Sequence, residues 1–407
     1  MKQLMKNMLR WLPLVAGVML VLAMLSACEI HSTDVVRQEQ DSTVYIGQLR
    51  QGQRDGLGTL LMGDSVLYSG QWRKGLRQGS GWLTDSTGHR IDGTWDHDTL
   101  VSGTRRDSLG VYVGEFNQHY QAHGYGHLKD TLGTYFEGQW KNGERRGFGF
   151  SSQKSKFRVG EWRDDRYLGE RLNYNADRIY GIDLSKYQHI KGRHRYGIDW
   201  GSLRITHLGT LSKKNVSGNI NYKVSFIFIK STEGTSVYNP YYRQDYAAAR
   251  KHGYPVGTYH FFSHRSKGGE QAMYFLRNSH FQKGDLPPVL DLEPLPSQIK
   301  KMGGPRLMWL RVRNWLQIVE KHTGQRPILY ISQTFINRGY LDYAPDIKKM
   351  YPVWIARYGE YKPDVRLWVW QLAPDGRVRG IHGAVDINVF NGYEGEFKQW
   401  LSRVSRQ

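Results

Sequence analysis

A glycine recurs every 21 to 24 residues through residues 45–172, each time inside a short segment of aromatic or β-branched residues. The recurring positions are Gly47, Gly70, Gly93, Gly114, Gly138 and Gly160, and four of the units also contain a Gly-x-Gly pair. A single β-hairpin cannot bury an aromatic face, whereas a row of hairpins can, and a period of about 22 residues is typical of such arrays. Residues 45–172 are therefore predicted to form an elongated, antiparallel all-β domain of hairpin repeats.

The motif within the repeats is Tyr-x-Gly-x-Trp followed by Gly-x-Gly, as in residues 68–72 and 79–81. This order resembles MORN (membrane occupation and recognition nexus) repeats, although the first unit has Leu49 in place of an aromatic residue and the third lacks a clear Gly-x-Gly. The resemblance implies a surface for contact with lipid or protein. The alternative is a spacer that only holds the following domain away from a membrane.

The N-terminal segment has the order of a secretory signal. Three basic residues lie within residues 1–10, an apolar run covers residues 11–25, and small residues precede Cys28. The run is shorter than the roughly 20 residues that span a bilayer, so a retained membrane helix is the less favoured interpretation. The ending resembles the lipobox of bacterial lipoproteins, which implies removal of residues 1–27, acylation of Cys28 and a tether over residues 28–44. We therefore expect a cell-envelope protein, lipid-anchored on the outer side of the inner membrane or on the outer membrane.

The chain is strongly basic, with a formal net charge of +20. Residues 1–27 contain three basic residues and no acid, so the remainder carries +17. Such a surface favours polyanions, and because no Lys/Arg-rich motif for reading nucleic acid is present, a cell-envelope polymer or anionic lipid is predicted instead of nucleic acid. Cys28 is the one cysteine, which excludes internal disulfides. No His/Cys/Asp cluster has the spacing of metal ligands, and neither a metal nor a cofactor is predicted.

Two carboxylates end an apolar run at residues 289–293. If this run is a strand, Asp291 and Glu293 point to one face because side chains alternate. Two neighbouring acids raise each other's pKa, so one ionises while the other stays protonated. The pair is therefore a candidate acid/base site, with a solvated strand end as the alternative.

Residues 177–407 alternate short apolar runs with segments of helical period. Strand candidates lie at 179–184, 226–230, 256–262, 289–292, 327–331, 353–356, 367–371 and 385–389, and helical segments at 241–252, 267–278 and 305–323. Roughly eight strands with intervening helices predict an α/β fold, an irregular β/α (TIM-like) barrel.

Polar and aromatic residues follow nearly every strand candidate, where a barrel of this kind opens on one mouth. They are Asp183, Lys230, Tyr259, Asp291, Glu293, Tyr330, Trp354, Tyr358, Gln371 and Asp386. Acids can protonate a glycosidic oxygen and aromatic rings can stack on sugar faces, so the set favours an oligosaccharide substrate. Tyr259, Tyr330, Trp354, Tyr358 and Gln371 are the predicted substrate-binding residues.

Several segments, in this order, resemble glycoside hydrolase family 25, the muramidases often called Chalaropsis-type lysozymes. They are Gly181-Ile182-Asp183, Phe228-Ile229-Lys230, Gly257-Thr258-Tyr259-His260, Asp291-Leu292-Glu293, Trp370-Gln371 and Val385-Asp386-Ile387-Asn388. The resemblance covers residues 180–392 and implies cleavage of the β-1,4 bond between N-acetylmuramic acid and N-acetylglucosamine in peptidoglycan. It implies that Glu293 is the acid/base, that Asp183, Asp291 and Asp386 accompany it, and that Tyr259 and Gln371 line the sugar site.

Three mechanisms are compatible with these residues: inversion through an activated water, retention through a carboxylate nucleophile, or attack by the substrate's own acetamide oxygen with Asp291 orienting the amide. We favour the third, because an Asp-x-Glu strand pair resembles that of substrate-assisted chitinases. The alternative function is a membrane-anchored MORN scaffold whose barrel binds peptidoglycan without cutting it. Four intact carboxylates favour the enzyme.

Overall fold

The computed structural model describes residues 32–39, 42–154, 156–169, 173–210, 215–356 and 365–404. Cys28 and Tyr358 lie outside these residues. The chain divides into two compact units, Met1–Gln121 and Ala122–Gln407, so the division falls within the repeat array. Among the described residues, no helix is both long and apolar enough to cross a membrane.

The first unit consists of hairpin strands, each antiparallel to the next. They are β1 (Ser32–Gln38), β2 (Thr43–Arg50), β3 (Gln53–Met62), β4 (Ser65–Arg73), β5 (Leu76–Thr84), β6 (Arg90–Asp96), β7 (Thr99–Asp107) and β8 (Gly110–Phe116). The repeat glycines lie opposite one another across the strands, as Gly70 does with Gly81. A Cβ on Gly81 would lie 2.3 Å from the Tyr68 hydroxyl, so glycine is required where the aromatic ring crosses the neighbouring strand. The glycines therefore recur in the sequence because each repeat must pack an aromatic ring against the neighbouring strand.

The second unit begins with the last repeat strands, which we call the closing repeats. They are β9 (Ala122–Asp130), β10 (Tyr135–Lys141), β11 (Glu144–Gln153), β12 (Lys156–Arg163) and β13 (Arg166–Gly169), again antiparallel. The indole nitrogen of Trp140 donates to the carbonyl of Gly126 across the sheet. The predicted antiparallel hairpin pattern thus continues to the end of the array.

The remaining strands and helices form the barrel and its surroundings. The strands are β14 (Asn173–Tyr174), β15 (Tyr180–Leu184), β16 (Ile190–Lys191), β17 (His194–Arg195), β18 (Arg204–His207), β19 (Asn215–Val216), β20 (Tyr222–Glu233), β21 (Val237–Tyr238), β22 (Val256–Phe261), β23 (Val289–Leu292), β24 (Ile328–Ser332), β25 (Val353–Ala356), β26 (Leu367–Arg379) and β27 (Val385–Phe390). The helices are α1 (Tyr242–Lys251), α2 (Gly268–Asn278), α3 (Pro296–Lys301), α4 (Pro305–Thr323), α5 (Gln333–Asn337), α6 (Pro345–Met350) and α7 (Glu394–Val404).

Eight strands close into a barrel in the order β15, β20, β22, β23, β24, β25, β26 and β27, with β27 returning to β15. The predicted α/β, TIM-like barrel is wrong. β27 runs antiparallel to both of its neighbours, and the described residues between β15 and β20 form short strands and 3₁₀ turns where a TIM barrel has an α-helix. The described chain is mostly β, with 48% strand and 22% helix.

Side chains alternate across the barrel wall as the strand pattern predicts. Val289 packs with the residues inside the barrel, whereas Leu290 and Leu292 belong to the outer core shared with the helices. Phe226 and Phe228 fill the interior, and a Cβ on Gly181 or Gly257 would lie 2.1 Å or 2.2 Å from their rings. Glycine at these two positions lets the phenylalanines close the barrel below the mouth.

The closing repeats pack against the end of the barrel opposite the mouth, which we call the floor. Asn391, just after β27, joins the two parts: its Oδ1 accepts from the main-chain nitrogen of Phe148 at 3.2 Å, and its Nδ2 donates to the carbonyl of Leu367 at 2.9 Å. Gln139 Nε2 donates to the same carbonyl at 3.3 Å. Helix α7 covers the floor, since the ring of Phe397 lies 5.7 Å from the ring of Phe226 in the barrel interior. The closing repeats and the barrel therefore share one packed unit.

Candidate active site

Four carboxyl groups lie at the mouth of the barrel. Asp183 is near the C-terminal end of β15, Asp291 is in β23, and Glu293 follows one residue beyond β23. Asp386 is near the start of β27, and because β27 is antiparallel it faces Asp183 directly in the strand register. The structure thus brings together acids separated by up to about 200 residues of chain, which was the expectation drawn from the strand ends.

A hydrogen-bond network holds Asp183 in place. Asn388 Nδ2 donates to Asp183 Oδ2 at 2.9 Å, and the indole nitrogen of Trp354 donates to Asn388 Oδ1 at 3.0 Å. The Tyr330 hydroxyl donates to Gln371 Oε1 at 3.0 Å, and Gln371 also hydrogen-bonds Asp183. These partners are almost fully buried, so the Asp183 carboxyl has a fixed orientation.

The environment of the mouth raises the pKa of all four acids. Burial raises the pKa of Asp183 to about 7, against the lowering effect of its hydrogen bonds from Asn388 and Gln371. Burial, followed by the charges of Asp183 and Glu293, raises the pKa of Asp386 to about 9. Burial and the nearby Glu293 hold the pKa of Asp291 well above its ordinary value, and partial burial raises that of Glu293 against the lowering effect of its hydrogen bond with Tyr330. The mouth therefore retains protons at neutral pH, as a general acid requires.

Glu293 and Asp291 differ in their access to solvent. The Glu293 side chain is exposed at the rim of the mouth, whereas Asp291 is partly buried below it. Among the described residues, no hydrogen-bond partner is present for the buried Oδ1 of Asp291. Such an atom costs free energy unless a ligand satisfies it. The pair therefore places one carboxyl at the rim and one carboxyl with an unpaired oxygen just below it.

Lys230 and Glu233 complete the polar rim. Lys230 Nζ lies 2.7 Å from Glu233 Oε2, so Glu233 is in an ion pair. The lysine charge acts against the rise in the pKa of Asp291. Lys230 therefore moderates the charge of the acid cluster.

The aromatic residues predicted to contact substrate take different positions. Tyr259 and Tyr330 are 9% and 7% exposed at the mouth, whereas Trp354 is 2% exposed. The ring of Trp354 lies 4.9 Å from both Phe228 and Tyr330, and its nitrogen is bound to Asn388. Trp354 supports the site from below and offers no open face to a sugar.

Asn388 was not singled out as a functional residue by the sequence analysis. It is fully buried and connects Asp183 to Trp354. The signal was present, because Asp386 and Asn388 are two residues apart in a strand and so share its inner face. An amide beside a predicted catalytic acid on the same face is a candidate positioning residue.

Comparison with known proteins identifies the same region. Residues 182–381 match the glycosyl hydrolases family 25, and residues 45–65, 68–90 and 136–152 match the MORN repeat. Uncharacterized protein YegX of Escherichia coli O157:H7 is 34% identical over 229 residues, which are 56% of this chain and 74% of that protein. Lysozyme M1 of Streptomyces globisporus is 29% identical over 247 residues, 58% of this chain and 74% of that protein.

Among solved structures, the bacterial lysozyme from Streptomyces coelicolor is 27% identical and has a TM-score of 0.44, with 56% of this chain and 97% of that chain covered. The family 25 glycosyl hydrolase from Bacillus anthracis is 29% identical with a TM-score of 0.41, covering 54% and 92%. On the family match and the relatives together, this chain belongs to glycosyl hydrolase family 25, with MORN repeats preceding its barrel.

Proposed function

We propose that the protein is a peptidoglycan muramidase that hydrolyses the β-1,4 bond between N-acetylmuramic acid and N-acetylglucosamine, with Glu293 as the general acid and base. The observation that carries the assignment of residues is the group of four acids with raised pKa at one mouth. A module that only binds sugar gains nothing from holding like charges together, since their repulsion opposes folding. The family assignment supports the same reaction.

Glu293 fits the role of proton donor. Its carboxyl is exposed at the rim, where a glycosidic oxygen can reach it, and burial on one side raises its pKa above the ordinary value of a glutamate. In the first step the proton passes from Glu293 to the oxygen of the departing sugar. In the second step the Glu293 carboxylate accepts a proton from the attacking water, which restores the acid.

Asp291 fits the role of orienting the substrate's acetamide. Its buried Oδ1 can accept a hydrogen bond from the amide N–H of the sugar at the cleaved bond. The acetamide oxygen then attacks C1 as the bond to the departing oxygen breaks, and water later opens the resulting ring at C1. Two displacements at C1 give net retention of configuration. NMR of the initial product tests this route: the β-anomer is expected, and an initial α-anomer would exclude it.

Asp183 and Asp386 fit the role of an acid pair sharing one proton. They are hydrogen-bonded to each other and oppose each other in the β15–β27 register. With one proton between them, the pair adds one negative charge near the mouth instead of two. That single charge can stabilise the positive character that develops at C1 in the transition state.

Attachment to a membrane is a separate proposal, carried by the sequence alone. Cys28 follows a basic, apolar and small-residue segment, which supports acylation and anchoring in the cell envelope. Fractionation of expressing cells tests it. Wild-type protein is expected with the membranes and Cys28→Ser in the soluble fraction, and an unchanged distribution would exclude the lipid anchor.

The MORN resemblance supports contact with lipid or protein. The closing repeats contact protein within their own chain, because residues of β10 and β11 hydrogen-bond to residues of the barrel floor.

A further inference from the structure

One repeat position has two different environments along the array. It is the residue directly after the repeat glycine, before the Trp, Phe or Leu that ends the motif. In the closing repeats this position contacts the barrel: Gln139 donates to the carbonyl of Leu367, and Glu161 forms a buried ion pair with Arg178. In the first unit the same position holds Gln48 on β2 and Gln71 on β4, whose side chains line an open groove, and then Thr94 on β6 and Glu115 on β8.

The groove lies over β2 to β5 and has a volume of about 750 Å³. Its lining is polar and cationic: it includes five glutamines, three basic residues and a single acid, Asp55. Among the described residues, neither Arg73 nor Lys74 has an acidic partner, and both side chains are exposed. Asp55 is engaged by the main-chain nitrogen of Lys74 at 3.2 Å. The groove thus presents positive charge to an incoming ligand.

The two repeat glutamines are fixed by the fold. Gln48 Oε1 accepts from the main-chain nitrogen of Leu57 at 2.9 Å, and Gln71 Oε1 accepts from that of Ser80 at 3.1 Å. Each amide fits because a glycine faces it: a Cβ on Gly56 would lie 2.0 Å from the Gln48 oxygen. With the oxygen held, the amide nitrogen is left as an oriented donor, and the structure gives neither nitrogen a partner among the described residues. The two donors lie on alternate strands, β2 and β4, roughly 10 Å apart.

We propose that this groove binds a peptidoglycan strand and so acts as a wall-holding site separate from the catalytic mouth. The inference rests on peptidoglycan being the substrate. Acetamide carbonyls recurring along a glycan accept from the two glutamine amides, and the carboxylates of the lactyl and peptide substituents pair with Arg73 and Lys74. A second site on the same chain raises the local concentration of substrate at the mouth.

The shape of the groove favours a strand over a bilayer. A flat lipid surface contacts side chains that protrude, and membrane docking commonly buries aromatic residues at the interface. Here the site is concave. Its one aromatic residue, Trp72, is 4% exposed because its ring packs against the sheet. An anionic lipid headgroup shares the charge but lacks the repeated amide acceptors.

The test is cosedimentation of the full-length protein with insoluble peptidoglycan, in a Glu293→Gln background to prevent digestion. Arg73→Glu combined with Lys74→Glu is expected to weaken binding at least about fivefold, and Gln71→Ala about threefold. Lys154→Glu with Lys156→Glu makes the same charge change at exposed positions outside the groove and is expected to retain binding. Equal loss in both double variants would overturn the proposal, because net charge alone would then explain binding.

Two further measurements separate the possible failures. The two double variants are expected to bind vesicles of anionic phospholipid about equally. If the groove variant alone lost vesicle binding but kept wall binding, the groove would be a lipid site and the proposal would be overturned. Cleavage of short, soluble peptidoglycan fragments, assayed with Glu293 intact, is expected to be the same in the groove variant and wild type. If wild type fails to cleave these fragments, the proposed reaction is at fault and not the groove.

Discussion

The mouth and the floor of the barrel both contain buried acids, but with different partners. At the mouth, Asp183 and Asp386 lie beside other carboxyl groups, and burial with mutual repulsion raises their pKa. At the floor, Glu161 is paired with Arg178 and accepts a hydrogen bond from Tyr393, with both charged side chains almost fully buried. Burial of an acid therefore does not itself indicate catalysis. A cluster of acids that outnumbers its cations indicates a site, and an acid matched with an arginine indicates structure.

Tyr393 lies against three arginines of the floor. The guanidinium groups of Arg146, Arg163 and Arg178 lie 4.7, 5.1 and 5.3 Å from the centre of its ring. Arg163 also donates to the Tyr393 hydroxyl at 3.0 Å. These residues come from the closing repeats, the segment before β15 and the segment before α7. The floor cluster therefore connects three parts of the second unit.

The largest effect is expected at the mouth. Glu293→Gln keeps the shape of the side chain but removes the transferable proton, so muramidase activity should fall about 10²–10⁴-fold. Turbidity loss of purified cell walls measures it. Glu270→Gln, at an exposed carboxyl on α2, is the matched control and should keep wild-type activity. Equal activity of the Glu293 variant and wild type would remove Glu293 from the role of acid.

The next largest effect is expected at the floor, on stability. Arg178→Ala leaves Glu161 buried without its cation, which should lower the free energy of unfolding by about 3–5 kcal/mol. Chemical denaturation measures it. The exposed pair Arg313 and Asp346 provides the control, since Arg313→Ala should cost less than about 1 kcal/mol. Similar costs for the two variants would mean that the floor ion pair is no more important than a surface pair.

A third effect distinguishes the two regions by pH. The folded-state pKa of Asp386 is raised to about 9, so the folded protein retains a proton that the unfolded chain releases at lower pH. Stability from this group is present below the unfolded pKa and is lost as pH rises towards 9. The Asp386→Asn variant has no proton to lose at this position, so it escapes this loss of stability. The Tm of the variant minus the Tm of wild type should therefore increase from pH 5 to pH 9. A difference that shrinks with rising pH would contradict the raised pKa.

The smallest effect concerns the hydroxyl of Tyr393. Tyr393→Phe keeps the ring beneath the three arginines but removes the hydrogen bonds to Glu161 and from Arg163. We expect a loss of about 1–3 kcal/mol in the free energy of unfolding, measured by denaturation, with unchanged activity at temperatures where the protein is folded. Lost activity in a fully folded variant would indicate that the floor acts on the mouth.

The sequence predicts individual strands better than their arrangement. Alternation correctly indicated that Asp291 lies on the inner face, because Val289 packs inside the barrel and Leu290 outside it. The direction of β27 was missed, although only five residues, 380–384, join it to β26. A parallel connection needs a dozen residues or more, so this short link already favoured an antiparallel pair.

The environment of single side chains was the least predictable feature. Alternation places Trp354 inside the barrel, but the contacts with Phe228 and Tyr330 that cover its ring depend on residues far away in sequence. The same holds for Glu161, which occupies a repeat position that faces an open groove at Gln48 and Gln71. A repeat motif predicts which face a residue occupies but not what covers that face.

The central claim is that the acids at the mouth cut the glycan after muramic acid. It is tested most directly by incubating the chain from residue 28 to 407, which keeps the closing repeats on the barrel floor, with purified peptidoglycan and identifying the released reducing end by mass spectrometry. We predict N-acetylmuramic acid at that end, and its absence with Glu293→Gln. N-acetylglucosamine at the reducing end would contradict the account.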